Sequence, residues 1–190
     1  MDTKNIMIVG VGGQGSLLAS KLLGHLLLGR GYDVKVSEVH GMSQRGGSVV
    51  TYVRYGDKVA SPVIDKGEAD YIVSFELLEA ARWLEYLKPG GQVVTSTQRI
   101  DPMPVITGAA AYPEDLVEKM KATGAQVDAL DCLALAERAG SAKATNLVLM
   151  GRLSRYFDLP EDAWQRSLEA MVPPQFLELN QKAFALGRSA

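Results

Sequence analysis

The hydrophobic and polar positions of this chain follow two periods in turn, and that alternation predicts strands and helices one after another. Short apolar runs bounded by glycine or polar turns predict strands at 5–9, 33–39, 48–54, 71–75, 92–95 and 126–131. Apolar residues three and four positions apart predict helices at 15–28, 76–87 and 113–121, and a helical pattern continues from residue 133 to the end. This order of elements is typical of an α/β protein.

Proline and glycine set the expected ends of the elements. The sequence K-P-G-G at 88–91 is predicted to stop the helix at 76–87, because proline cannot continue a helix and glycine permits a turn. Residues 98–111 contain two prolines and are predicted to form a loop with at most an edge strand. Pro113 is expected in the first turn of the following helix.

The length and pattern favour one domain over residues 1–190, without internal repeats. We expect a three-layer, Rossmann-like architecture with a mostly parallel twisted sheet and helices on both faces. The helical C-terminal segment, from about residue 141, is expected to pack on the sheet or to form part of an interface. Either arrangement would account for its many apolar residues, and we expect the isolated chain to form a homodimer.

Charge and hydropathy exclude several classes of partner. With 20 basic and 22 acidic residues the net charge is −2, which argues against a nucleic-acid-binding surface. The first residues lack the basic and apolar regions of a signal peptide, and no apolar run approaches the ~18 residues that cross a bilayer. We therefore expect a cytoplasmic protein without membrane contact.

The chain is poor in metal-ligating side chains. It has one cysteine, Cys132, and two histidines, His25 and His40. One thiol cannot form an internal disulfide, a tetrathiolate zinc site or an iron–sulfur cluster, which needs about four thiolates. We predict that this chain binds no metal, so that any redox metal it serves lies on another chain.

A glycine loop follows the first predicted strand. Residues 10–15 read G-V-G-G-Q-G, in the strand–turn–helix position where such glycines let a backbone approach a phosphate and expose helix N-terminal amides to it. Glu38 ends the second strand 23 residues after Gly15, near the spacing of a ribose-binding acid. A dinucleotide site is one interpretation. The alternative is that these glycines only allow tight helix–sheet packing, and Gln14 suits a polar contact to another surface.

The second unusual segment is S-E-V-H-G-M-S-Q-R-G-G-S at 37–48. A glycine-flanked loop at a strand end can line a ligand crevice or a partner surface, and Arg45 suits a carboxylate or phosphate. Histidine is a common general acid or base, but no cysteine and no obvious serine–acid triad surround His40 in the sequence. A solvated surface loop is the alternative.

Taken together, the two loops resemble the gamma-type subunit of the 2-oxoacid:ferredoxin (acceptor) oxidoreductases, most closely the small, beta-named subunit of the indolepyruvate enzymes. Shorter fragments along nearly the whole chain agree, among them S-P at 61–62, G-E-A-D at 67–70, K-P-G-G at 88–91 and Asn146. Ser16 departs from the apolar residue expected at that position.

The resemblance implies an enzyme that converts a 2-oxoacid, coenzyme A and oxidised ferredoxin into acyl-CoA, carbon dioxide and reduced ferredoxin. It implies that thiamine diphosphate, magnesium and the iron–sulfur clusters belong to a large partner subunit. Coenzyme A would be the co-substrate, and ferredoxin would meet the complex. The present chain would be inactive alone.

Carried onto this sequence, the resemblance gives a set of positions that bind substrate, coenzyme A or the partner. His40 is the one weak catalytic candidate among them. The binding candidates are Gly10, Gly12, Gly13, Gln14, Gly15, Ser16, His40, Met42, Ser43, Gln44, Arg45, Gly46 and Gly47. Two other hypotheses stay open: a stand-alone NAD- or FAD-binding Rossmann protein, and a non-catalytic assembly scaffold.

Overall fold

A six-stranded sheet forms the centre of the molecule. The computed structural model describes residues 2–40 and 46–190. The strands are β1 (Lys4–Val11), β2 (Asp33–His40), β3 (Ser48–Gly56), β4 (Ala69–Ser74), β5 (Leu87–Ser96) and β6 (Gln126–Leu130). Their spatial order is β2-β3-β1-β4-β5-β6.

The strands β1, β4, β5 and β6 run parallel to one another, whereas β3 is antiparallel to both of its neighbours, β1 and β2. The expected mostly parallel α/β sheet is therefore confirmed, with one reversed strand in its interior. Because β2 and β3 are consecutive in the chain and pair antiparallel, they form a hairpin, and β3 is the arm that pairs with β1.

Helices cover both faces of the sheet. They are α1 (Ser16–Leu28), α2 (Leu77–Arg82), α3 (Met103–Ile106), α4 (Leu116–Ala122), α5 (Cys132–Ala139), α6 (Thr145–Leu153), α7 (Glu161–Met171) and α8 (Pro174–Ser189). The larger apolar core joins one face to α1, α5, α6, α7 and α8, and the smaller core joins the other face to α2 and α4. In the described part of the chain, no helix is long and apolar enough to cross a membrane.

The helix predicted at 76–87 is too long. Helix α2 ends at Arg82, Leu84–Tyr86 forms a 3-10 turn, and β5 begins at Leu87. Leu87 pairs with Ala69 of β4 and packs on the smaller core, and these contacts place it in the strand. The segment K-P-G-G at 88–91 consequently lies in the first half of a strand instead of ending a helix.

Two further predictions need correction near the prolines. Helix α4 begins at Leu116, because Asp115 has a left-handed backbone (φ 55°) that separates Pro113 from the helix. The predicted loop at 98–111 contains the short helix α3, which Pro102 precedes and in which Pro104 occupies the first turn. Proline is favourable there because the first helical amides have no acceptor inside the helix.

The C-terminal helices pack closely on one another. Helix α8 lies against α6 and α5, α7 lies against α1, and α6 reaches β5. A Cβ at Gly151 of α6 would stand 2.0 Å from the Phe184 carbonyl oxygen, and one at Gly187 of α8 would stand 1.9 Å from the Val148 carbonyl oxygen. The two helix backbones therefore touch at these glycines.

Candidate active-site edge

The candidate residues gather where the parallel strands end. Strands β1, β4 and β5 finish at Val11, Ser74 and Ser96, all at the same edge of the sheet. In sheets of this kind ligands bind outside the carboxyl ends of the strands. We call this side of the molecule the carboxyl edge.

The glycine loop at this edge depends on unusual backbone angles. Gly13 and Gly15 have φ values of 102° and 91°, which disfavour any residue with a Cβ. A Cβ at Gly10 would stand 2.8 Å from Gln14 Oε1 and 3.2 Å from Phe75 Cβ, so Gly10 permits close packing. The Gly12 amide donates to the Gly47 carbonyl oxygen (2.9 Å), which fixes this loop to the start of β3.

Gln14 lies at the centre of this loop and bonds within the chain. Its Oε1 accepts from the Val11 amide (2.7 Å), and its Nε2 donates to the Phe75 carbonyl oxygen (3.0 Å) and to Gln98 Oε1 (3.3 Å). One side chain thus connects the ends of β1, β4 and β5. The predicted contact of Gln14 with a partner or ligand stays a prediction.

Helix α1 presents its amino terminus to open space. Gly15 is its N-cap, and among the described residues no side chain, that of Ser16 included, caps it. The first amides of a helix have no acceptor within the helix and carry partial positive charge. They can therefore bind an anion.

A cavity of about 400 Å³ lies in front of these amides. Glu38 and His40 of β2 contribute to its wall, and the Glu38 carboxylate accepts from the Thr51 hydroxyl (3.2 Å). The residues that line the cavity are Gly12, Gly13, Gly15, Ser16, Leu17, Glu38, His40 and Val49.

The structure thus brings together five of the predicted site residues around one cavity: Gly12, Gly13, Gly15, Ser16 and His40. Gly46 and Gly47 lie just before β3, where Gly47 contacts the glycine loop and Gly46 has a φ of 76°. Met42, Ser43, Gln44 and Arg45 lie outside the described residues.

The strand order weakens the dinucleotide interpretation of Glu38. A ribose-binding acid is expected beside the glycine loop, at the end of the strand that follows it. Here β3 lies between β1 and β2, so Glu38 is two strand spacings from β1, about 10 Å. Glu38 still lines the cavity, but it does so from β2, the edge strand of the sheet.

The sequence analysis did not predict two buried carboxylates at the carboxyl edge, those of Glu76 and Glu79. The Glu76 side chain, 1% exposed, accepts from the Glu79 amide (2.7 Å), the Ile100 amide (3.2 Å) and the Tyr112 hydroxyl (2.6 Å). Burial and the bond to Glu76 raise the pKa of Tyr112. Glu76 thereby caps α2 and anchors the segment that carries α3. The signal in the sequence was a charged residue directly after a buried strand.

Glu79 is the second buried carboxylate, 3% exposed. It accepts from the Ser48 hydroxyl at the start of β3 and from Arg82 Nη1 (2.9 Å). This contact ties α2 to the hairpin of β2 and β3. Because Ser48 and Glu79 are 31 positions apart, only the folded chain shows the pair.

Asn146 supports the glycine loop from behind. It is 6% exposed, and its Nδ2 lies 2.6 Å from the position that a Cβ of Gly15 would take. Its Oδ1 accepts from the Leu147 amide (2.9 Å). Asn146 therefore packs against the glycine loop and bonds to its own helix.

The donor set for metals is sparse. Among residues 2–40 and 46–190, no group of three or more His, Cys, Asp or Glu side chains is arranged to hold a metal ion. Cys132 is fully buried, and burial raises the pKa of its thiol to about 12.

Comparison with known proteins decides the family. The family described as pyruvate ferredoxin/flavodoxin oxidoreductase matches residues 5–190. The chain belongs to this family. It is 45% identical to the indolepyruvate oxidoreductase subunit IorB of Thermococcus kodakarensis, over 100% of this chain and 96% of that protein. The resemblance to the gamma-type small subunits of 2-oxoacid:ferredoxin oxidoreductases is thereby confirmed.

Solved structures of the family share the fold. The pyruvate oxidoreductase subunit PORC of Thermotoga maritima superposes with a TM-score of 0.76 at 20% identity, covering 100% of this chain and 97% of that one. A 2-oxoglutarate:ferredoxin oxidoreductase of Magnetococcus marinus, solved with 2-oxoglutarate, coenzyme A and succinyl-CoA, superposes with a TM-score of 0.74 at 19% identity. That match covers 100% of this chain and 31% of that one.

Proposed function

We propose that this chain is the small subunit of a heteromeric 2-oxoacid:ferredoxin oxidoreductase whose substrate is indolepyruvate or another aryl-pyruvate. The complex would decarboxylate the 2-oxoacid oxidatively, transfer the acyl group to coenzyme A and reduce ferredoxin. The observation that carries the proposal is the 45% identity to an indolepyruvate oxidoreductase subunit over the full length of this chain.

The cavity at the carboxyl edge suits a phosphate of coenzyme A. The amino terminus of α1 and Ser16 line it, and helix amides and a serine hydroxyl bind anions. The Glu38 carboxylate in the same wall opposes an anion, so a phosphate there needs a nearby cation. Arg45, in the segment between β2 and β3, is the candidate for that cation.

The cofactors are proposed to lie on the partner. One buried thiol does not supply the four thiolates of an iron–sulfur cluster, so clusters, thiamine diphosphate and magnesium are assigned to the large subunit. Thiamine diphosphate would supply the carbanion chemistry there. The residues of this chain would bind coenzyme A and shape the site at the interface.

Exposed apolar side chains at the carboxyl edge support a partner on that side. Met103 and Ile106 of α3 are 66% and 65% exposed, and Leu17 beside the glycine loop is 52% exposed. Water contact of such side chains is unfavourable, and a partner subunit would cover them. Without that partner, we expect two copies to associate as a homodimer.

The central test is reconstitution. The purified chain, the large subunit and their mixture are assayed for 2-oxoacid- and coenzyme A-dependent reduction of a viologen dye, with indolepyruvate, phenylpyruvate, pyruvate and 2-oxoglutarate as substrates. We expect activity only in the mixture, and highest kcat/KM with the aryl substrates. Activity of the chain alone, or full activity of the large subunit alone, would contradict the proposal.

The role of Arg45 has its own test. In the reconstituted complex, Arg45→Ala is expected to raise KM for coenzyme A about tenfold with little change in KM for the 2-oxoacid, because a charged contact to phosphate is lost. Arg45→Lys should recover part of the loss. An unchanged KM for coenzyme A would remove Arg45 from that site, and tight NAD binding by the lone chain would favour the dinucleotide hypothesis.

A further inference from the structure

The segment that carries α3 lies apart from both apolar cores. We call residues 98–112 the α3 loop. None of residues 99–111 is buried, and none of them belongs to either apolar core. The backbone bonds at its centre stay within the loop, for example from the Thr107 amide to the Met103 carbonyl oxygen (2.9 Å). Packing in the apolar cores therefore does not fix the position of this loop on the molecule.

A single carboxylate holds both ends of the α3 loop. Glu76 Oε1 accepts from the Ile100 amide near the start of the loop (3.2 Å) and from the Tyr112 hydroxyl at its end (2.6 Å). The Arg99 guanidinium lies 4.1 Å from the centre of the Tyr112 ring and so stays close to the same anchor. In the part of the chain that the structure describes, the bond from Ile100 to Glu76 is the only hydrogen bond that joins residues 99–111 to the rest of the molecule.

The two oxygens of Glu76 have different partners, and this division points to a role beyond capping. Oε2 accepts from the Glu79 amide (2.7 Å) and caps α2, whereas Oε1 bonds to the α3 loop. Serine, threonine, aspartate and asparagine are the usual N-cap residues, and each of them would cap α2 with a shorter side chain. The extra length of the glutamate lets its second oxygen reach Ile100 and Tyr112.

The α3 loop presents an uncharged, apolar surface at the carboxyl edge. Residues 102–111 contain no charged side chain. Met103 and Ile106 of α3 are the two most exposed large apolar side chains among the described residues. The base of the loop adjoins the glycine loop, because Gln98 Oε1 accepts from Gln14 Nε2 (3.3 Å). A partner that covers α3 therefore lies at the same edge as the cavity proposed for coenzyme A, as a site shared by two subunits requires.

We propose that Glu76 is a positioning residue for assembly of the complex, and that it holds the α3 loop in the conformation that binds an uncharged, apolar groove of the large subunit. This inference rests on the proposed function and names the residue on which its partner contact depends. Ordering a loop only on binding costs conformational entropy, so a loop that is ordered beforehand binds more tightly. Glu76, 1% exposed, acts through the loop and does not touch the large subunit.

The variant that tests this role is Glu76→Asp. Aspartate keeps the charge and can cap α2, but it is one methylene shorter and cannot serve both the cap and the loop. In the free chain, amide hydrogen exchange of residues 99–111 should speed up at least about tenfold, while exchange in α6 and α8 stays unchanged. Titration calorimetry with the large subunit should show an affinity about tenfold lower.

Tyr112→Phe approaches the same contact from the loop side. It removes the hydroxyl that donates to Glu76 Oε1 and leaves the cap of α2 in place. We expect the same two effects, faster exchange in residues 99–111 and weaker binding of the large subunit. Urea unfolding checks that each variant folds, and Tyr112→Phe carries the test if Glu76→Asp does not fold.

Glu79→Asp is the matched control. It makes the same change at the other buried carboxylate of α2, whose side chain bonds to Ser48 and Arg82 and not to the α3 loop. We expect it to leave both the exchange of the α3 loop and the affinity for the large subunit unchanged. Reconstituted activity gives a further readout. At saturating large subunit Glu76→Asp should reach the wild-type kcat, because only assembly is weakened, whereas a defect in the fold would lower kcat at saturation as well.

Three results would overturn the inference: unchanged exchange of the α3 loop in Glu76→Asp, unchanged affinity of that variant for the large subunit, or equal effects of Glu76→Asp and Glu79→Asp. Each of them leaves the proposed function intact if the wild-type mixture is active. A wild-type chain that does not bind the large subunit at all would overturn the proposed function together with this inference, so the two failures are distinguishable.

Discussion

At the scale of single residues, two glycines of one loop serve different purposes. Gly13 and Gly15 both have positive φ, but a Cβ at Gly13 would meet nothing within 4 Å, whereas a Cβ at Gly15 would stand 2.6 Å from Asn146 Nδ2. Gly13 is needed for its backbone angle alone. Gly15 is needed both for its angle and for the space that Asn146 occupies.

This difference predicts unequal effects of alanine. Gly13→Ala should lower the free energy of unfolding by about 1 kcal/mol through backbone strain, and Gly15→Ala by about 3 kcal/mol through strain and overlap. Urea denaturation measures both. In the Asn146→Ala background the cost of Gly15→Ala should fall towards that of Gly13→Ala. If Gly13→Ala, Gly15→Ala and Gly15→Ala in the Asn146→Ala background all cost the same free energy of unfolding, Asn146 does not limit this position.

The sequence located this loop correctly but could not assign all of its contacts. Glycine spacing after a buried strand is a local signal, and it predicted the turn and the start of α1. The partners of Gln14, the Phe75 carbonyl and Gln98, are 61 and 84 positions away and meet it only because β1, β4 and β5 end at one edge. Tertiary contacts of this kind leave no periodicity in the sequence.

At the scale of elements, α6 and α8 depend on contact between their backbones. The glycines at 151 and 187 each face a carbonyl oxygen of the other helix at a distance that excludes a side chain. Helix propensity alone would favour alanine over glycine by about 1 kcal/mol at either position. Close approach of the helices therefore outweighs propensity here.

Gly187→Ala should consequently destabilise the protein by about 3 kcal/mol or more, since the Val148 carbonyl oxygen is a backbone atom and cannot move aside as the end of a flexible side chain could. Gly24→Ala is the matched control, because it lies inside α1, where a Cβ would meet only Val36 Cγ2 at 4.0 Å. We expect Gly24→Ala to be neutral or to stabilise by up to about 1 kcal/mol. Thermal and urea unfolding compare them, and similar losses would refute the assigned contact.

A polar contact joins β6 to α6. Asp128 accepts from Arg152 Nε (2.6 Å) and Nη2 (2.9 Å) and from the Tyr156 hydroxyl (2.6 Å). Burial alone would raise the pKa of Asp128, but the bonds from Arg152 and Tyr156 outweigh it and hold that pKa below its usual value of 3.8. The pair is largely shielded from water, so it contributes more than a surface ion pair.

A folded-state pKa below the unfolded value means that ionised Asp128 stabilises the fold above pH 3.8 and that this stabilisation is lost as the pH falls through the folded-state pKa. Asp128→Asn should therefore lower the free energy of unfolding by about 2 kcal/mol at pH 7 and by clearly less at pH 3. Urea unfolding at both pH values tests this. If Asp128→Asn lowers the free energy of unfolding equally at pH 7 and pH 3, the charge of Asp128 is not the cause.

Most elements follow from the pattern, and the failures have physical causes. Five of the six strands and the helical C-terminal segment were predicted close to their observed bounds, whereas β5 begins at Leu87, five residues before the predicted start. The helix at 76–87 was extended too far because its leucines suit a helix, yet Leu87 is fixed by pairing with Ala69. Likewise, the left-handed backbone conformation of Asp115 decides where α4 begins, and the residue types around it did not predict that conformation.

At the scale of the whole molecule, exposed apolar side chains and the glycine loop occupy the same edge. Met103→Glu combined with Ile106→Glu should weaken association with the large subunit at least about tenfold, because burying two charges on an apolar contact is unfavourable. Leu28→Glu, 60% exposed at the far end of α1, is the control and should leave association unchanged. Titration calorimetry measures the affinity of each variant for the large subunit. Equal affinities of the double variant and the control would place the partner on another surface.

The reversed strand is the part of the topology that the sequence did not reveal. The predicted segments at 33–39 and 48–54 look alike whether they form a hairpin or belong to separate parallel units. What decides between them is the pairing of β3 with β1 over eight residues, from Lys4 with Tyr55 to Val11 with Ser48. That pairing is long-range, and one sequence without relatives does not encode it visibly.

The hairpin of β2 and β3 has a consequence for how this family can diversify. Its arms are fixed in register up to His40 and Val49, and the Gly12–Gly47 bond holds its end against the glycine loop. The described strand pairs lie on either side of this connection, and loops between strands tolerate changes in length and chemistry better than the strands that they connect. The connection at 41–45 is therefore a place where evolution, or a protein engineer, can alter recognition at little expense to the fold.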